Sequence, residues 1–163
     1  MFAIFVTAIL WFCAVGCGLM AGVYFAFSGF IMTSLARIET SAGILAMQSI
    51  NDVILRSAFM PLFFGTSVAS AGIVAIALSD LSRPGAILML SAGSLYFSGM
   101  FLCTLFFNVP LNNRLKAVDS HSAHAAKVWD LYLSRWTRWN HARTIASAGA
   151  TVLFFIAIQG EIS

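Results

Sequence analysis

Residues 129–143 read WDLYLSRWTRWNHAR, and the segment that follows, Thr144 to Gly160, carries no charge. Trp129, Tyr132, Trp136, Trp139 and Arg143 stand three, four, three and four residues apart. On a helix that spacing places all five side chains on one stripe. Asn140 neighbours Trp139 and joins the same face, while Lys127, Asp130, Ser134 and Arg138 fall on the opposite, water-compatible face. An aromatic, partly polar stripe therefore runs along a helix into an apolar segment and ends in an arginine.

The rest of the chain supplies the setting for that helix. Of its 163 residues, 60% are hydrophobic and 9% charged, whereas a soluble domain carries about 25% charged residues. Met1 to Ala36, Ser57 to Ser79 and Gly85 to Phe107 are three more uncharged runs, each able to supply the roughly 20 residues that cross a bilayer. The expected fold is all-α: a four-helix transmembrane bundle, one integral membrane domain over residues 1–163, with spans at about 2–34, 57–79, 85–107 and 139–159. Between the first two spans, Ile44, Met47, Asn51 and Ile54 recur at helical spacing, which predicts a short amphipathic surface helix with Thr40 or Ser41 as its N-cap. A cleaved leader is not expected, because the N-terminal run lacks a positive flank and is too long.

Small residues suggest how the spans pack. Ala14, Gly18, Gly22 and Ala26 recur every four residues, as do Ala142, Ala146 and Ala150; such edges let helix backbones approach closely. Gly18 and Gly22 are thus expected against another helix. Tyr24, Phe25, Phe27 and Phe30 are assigned to the bulky sides, facing lipid or packing partners. Asn108-Val109-Pro110 is expected to end the third span, with Val109 extended and a carbonyl near Phe106 left without its donor. Asp119 or Ser120 is the expected cap of the helix bearing the aromatic stripe.

Charge sets the expected orientation. Arg37, Arg56, Arg114, Lys116, Lys127, Arg135, Arg138 and Arg143 flank the first and third loops, while the second loop and the termini hold only Arg83. The positive-inside rule then puts the long loops in the cytoplasm and both termini outside, as in a protein of a bacterial inner membrane. Gln48, Asn51, Asn108, Asn112, Tyr132, Asn140, His141 and Arg143 all converge on that cytoplasmic end, either as a pocket mouth or as a polar interface zone. Cys13, Cys17 and Cys103 lie in apolar runs and read as buried thiols. His121 and His124 read as loop residues, with no third ligand nearby, so no metal site is expected. The net charge of +3 is not gathered into a soluble basic patch, which excludes a nucleic-acid partner.

Four motifs occur in order: GVYFAFSGFIM at 22–32, MQSIN at 47–51, FNVPLNNRL at 107–115 and WDLYLSRWTRWNHART at 129–144. Together they resemble the anthrone oxygenase-like family of small four-span membrane proteins. The resemblance implies an oxidoreductase that uses dioxygen on an anthrone-like, lipophilic aromatic compound, a monooxygenase without a cofactor. Such chemistry needs a flat apolar slot, a weak base and donors for an oxyanion. Tyr132, Trp136 and Trp139 suit the slot, Asn108, Asn140 and Arg143 the donors, and His141 the base; Gln48, Asn51 and Asn112 complete the substrate-binding set. The alternatives are a non-catalytic protein that binds a lipid, a quinone or a partner helix through the same stripe, and an interfacial tryptophan belt flanked by a topogenic arginine. The partners expected are membrane lipid, the small aromatic molecule and a second copy of the chain.

Overall fold

Five helices account for nearly all of the chain in a computed structural model that describes residues 1–162, with side chains through Gly160. They are α1 (Phe2–Leu35), α2 (Thr40–Ile54), α3 (Phe59–Ser79), α4 (Ala86–Lys116) and α5 (Ala125–Ile162). All but α2 are long and apolar enough to cross a membrane. Helices suit that medium because each one satisfies its own backbone hydrogen bonds where no water is available.

The four long helices form a closed ring in which α1 packs on α5 and α3, and α4 packs on α3 and α5. Neighbours are antiparallel. Trp11 meets Phe155 edge-on at 5.7 Å, and further along α1 the Tyr24 carbonyl receives Asn140 of α5. The turn joining α3 to α4 is held by Ser82 N–H and Oγ donating to Asp80 Oδ1. It closes at Gly85, whose φ of +74° is the left-handed region glycine enters without a Cβ penalty. One apolar core, including Leu10, Met20, Ile73, Met89, Tyr96 and Phe154, fills the ring from its middle toward the end that carries the N-terminus. A second core, including Met32, Ile44, Met47, Leu115, Trp129, Tyr132 and Trp136, lies where α2 covers the other end.

The close approaches are not where the four-residue repeat of α1 suggests. Gly22 is exposed, and a Cβ added there would meet nothing within 4 Å. One at Gly18 would make ordinary contact with Thr151 at 3.6 Å. The four-residue repeat advances about 40° per step on a 3.6-residue helix, so the small edge rotates off the interface before reaching Gly22. The tight crossings are instead Gly16 on Thr66, Gly93 on the Ser70 carbonyl and Gly99 on Ala146.

The third span also departs from expectation. Val109 is helical (φ −60°, ψ −45°) and α4 continues past Pro110 to Lys116. The helix widens into π-type turns at Phe97–Leu102 and Thr104–Asn108, and the Val109 N–H reaches back five residues to the Thr104 carbonyl. Pro110 then falls in the first turn of the regular helical stretch Val109–Lys116, where no donor is required of it. Similarly, α5 starts at Ala125 rather than at Asp119 or Ser120, because Asp119 closes a local turn through His121 N–H and Ser122 Oγ. The N-cap of α2 is Glu39, which accepts from Ala42 N–H at 3.1 Å and from Ser41 Oγ.

Candidate functional site

Arg143 sits a full helical turn beyond Trp139 on α5, yet only 4% of it is exposed. Its Nη2 donates to Asn140 Oδ1 at 2.7 Å and its Nη1 to Thr104 Oγ1 at 3.4 Å. The guanidinium lies 4.3 Å from the Tyr24 ring centroid and 5.0 Å from that of Trp136, positions in which aromatic faces attract a cation. Among the described residues no carboxylate pairs with it; the ion pair Lys116–Asp52 at 2.8 Å is exposed and elsewhere. Its Nε and the neighbouring Trp136 Nε1 are buried without a partner.

The amide that holds Arg143 is that of Asn140, not that of Gln48, Asn51 or Asn108. Asn140 Nδ2 donates to the Tyr24 carbonyl and to Ser28 Oγ, both at 2.7 Å. Ser28 belongs to a π-type turn of α1, Phe27–Ile31. Such turns disturb the regular ladder and recur at functional sites. Asn140 therefore joins α1 to α5 and holds the guanidinium at the junction.

A cavity of about 150 Å³, partly open, lies against this junction. Tyr24 and Phe27 of α1, Phe59, Phe63 and Phe64 of α3 and Trp136 of α5 give it an aromatic lining. Asn51 of α2, Thr104 and Asn112 of α4 and Arg143 of α5 give it polar groups, with Arg143 the charged one. All five helices contribute.

The candidates from the sequence fall into three groups. Asn51, Asn112, Trp136 and Arg143 line the cavity. Tyr132, Asn140, Asn108 and Gln48 stand behind it: Tyr132 Oη donates to Asn112 Oδ1 at 2.8 Å and receives Asn51 Nδ2 at 3.5 Å. Asn108 donates to the Trp136 carbonyl, and Gln48 donates to the carbonyls of Leu115 and Val118, closing the end of α4. Trp139 and His141 are not brought in. Trp139 lies at the edge of the stripe and stacks on Phe107 at 3.8 Å, and His141 is exposed. Tyr24, Phe27, Phe59, Phe63 and Thr104 were not singled out as site residues. The one available signal was the polar pair Tyr24 and Ser28, a turn apart within an otherwise apolar run.

The fold and the site together define a small integral membrane protein with a cation-ended aromatic pocket at one end of a four-span bundle. Residues 52–153 match the family model described as anthrone oxygenase, and the chain belongs to that family. No match is found among curated proteins or among solved structures.

Proposed function

We propose that the pocket binds a flat, lipophilic aromatic compound through an acidic oxygen, and that the protein oxidises such an anthrone-like compound with dioxygen without a cofactor. The observation that carries this reading is the buried Arg143 guanidinium, which lines the cavity with no carboxylate among the described residues to neutralise it. An uncompensated buried charge is costly, and an anionic ligand would offset that cost. The aromatic side chains supply flat apolar walls.

The same geometry suits the reaction. Loss of a methylene proton from an anthrone gives a carbanion whose charge delocalises onto the carbonyl oxygen. Arg143 would hold that oxygen, stabilising the anion more than the neutral ketone. The anion passes one electron to dioxygen, and the resulting radical pair combines to a peroxide that takes up a proton. Loss of the remaining hydrogen as a proton, with cleavage of the O–O bond, leaves the quinone and water. One anthrone and one dioxygen thus yield one quinone and one water. Among the described residues the lining holds neither histidine nor carboxylate, so the first proton is taken by a water molecule rather than by a lining side chain or by His141. That same lack favours a second reading, a pocket that binds a quinone or lipid without turnover.

The charge asymmetry supports placing the pocket end in the cytoplasm, with both termini outside. The test is oxygen uptake by the purified protein with added anthrone, corrected for uncatalysed autoxidation. Stoichiometric uptake that Arg143→Gln abolishes is expected; binding without uptake would replace the oxygenase reading by the second one.

A further inference from the structure

The partly open cavity lies beneath α2, at the end of the bundle that α2 covers. Several contacts fasten α2 across the end of the bundle. Gln48 reaches the carbonyls of Leu115, in the last turn of α4, and of Val118 just past it, Asp52 pairs with Lys116, and Tyr132 ties Asn51 to Asn112. These contacts join α2 to α4 and α5; α2 has no comparable packing on α3.

The opposite is true between α3 and α4. They pack along Ala86–Leu102 but not appreciably along Thr104–Lys116. The last ring contacts between them are Phe101 on Phe63 at 5.4 Å and on Phe64 at 6.3 Å. Past that point the π-type turns Thr104–Asn108 begin, and the cavity occupies the gap. Met60 and Phe64 edge it on α3, and Leu105 and Val109 on α4. Phe64 is 48% exposed and Leu105 39% exposed. All four are apolar, so the opening suits hydrocarbon better than water.

We infer that the gap between α3 and α4, bounded by Met60, Phe64, Leu105 and Val109, is a lateral portal through which an acidic lipophile dissolved in the bilayer reaches Arg143. The occupant follows from charge: a route with apolar walls ends at a buried cation with no counter-ion among the described residues, so an aromatic acid partitioned into lipid fits both ends. This rests on the proposed reading of Arg143 as the anion site. It adds the phase from which the ligand comes and the residues that gate it.

The test uses full-length protein in phosphatidylcholine nanodiscs and anthracene-9-carboxylate as probe, followed by its fluorescence on rapid mixing. Leu105→Trp should slow association and dissociation together by about tenfold, because filling a gate acts on rates more than on affinity. Leu105→Ala, which needs no extra space, should speed both. Lys116→Ala, which opens the fastening of α2, should change neither. Unaltered rates in both Leu105 variants would overturn the portal, as would faster entry in Lys116→Ala. Loss of affinity in Leu105→Trp at an unchanged association rate would also overturn it, by making Leu105 a wall. Arg143→Gln separates the two ideas: if it still binds the probe with wild-type affinity, the anion site itself is wrong, whatever Leu105 does.

Discussion

Asn140 accepts a hydrogen bond from Arg143 at 2.7 Å while its own amide donates across to the Tyr24 carbonyl at the same distance. One side chain therefore links the backbone of α1, the register of α5 and the orientation of Arg143, the only charged group among the described residues of the pocket lining. A neutral amide can do this without cancelling the charge. A carboxylate at the same place would form an ion pair and remove the reason for an anion to bind.

Asn140→Asp should accordingly abolish binding of an anionic aromatic probe although Arg143 is still present. It should also destabilise the bundle, because a carboxylate cannot donate to the Tyr24 carbonyl; an unmet buried group costs about 1–3 kcal/mol. Titration calorimetry and thermal melts in detergent would check both parts.

Arg143→Gln is expected to weaken binding of such a probe by about ten- to a hundredfold, the worth of a hydrogen bond to a charged group. Its melting temperature should hold or rise, since an unpaired buried charge is removed. Arg143→Lys should not restore binding, because an ammonium lacks the planar fork that spans Asn140 and Thr104. Fluorescence titration of the three proteins distinguishes these outcomes.

Gly93→Ala should lower the thermal transition. A Cβ there would stand 2.7 Å from the Ser70 carbonyl oxygen, and overpacking of this kind costs about 1–3 kcal/mol. Gly22→Leu should leave the transition unchanged, since that position is exposed to lipid. Comparing the two melts tests where α1 and α4 meet their neighbours.

Acid should loosen α2 at its start. Hydrogen bonds from the Ser41 hydroxyl, and then from the backbone N–H groups of Ser41 and Ala42, hold the Glu39 carboxyl below the ordinary glutamate value. A group depressed in the folded state stabilises it above the unfolded pKa, about 4.3, and that contribution is lost as pH falls through the folded value. Amide exchange at Ala42 and Gly43 should therefore accelerate below about pH 4, and Glu39→Gln should flatten that dependence.

A reporter fused after the C-terminus should be active only in an exported format if the cation-rich end is cytoplasmic. A reporter active only inside the cell would reverse the orientation and place the pocket at the outer surface.

Four apolar runs, one short amphipathic helix and the stripe ending in Arg143 were all legible from residue type and spacing. Lipid permits few backbone solutions, so composition alone carries the fold class. Which members of the stripe face inward was not legible. Trp139 and Asn140 are adjacent in sequence, and only the position of α4 beside α5 sends one outward onto Phe107 and the other inward onto α1. The path of α4 through Pro110 was equally hidden, because a π-type turn shifts the register before the proline arrives. Sequence alone thus placed an aromatic stripe ending in an arginine near one end of a membrane bundle. Only the tertiary structure decided its partners, its aromatic faces and its cavity, because those depend on residues of α1, α3 and α4 that are distant in the chain and meet only when the helices pack.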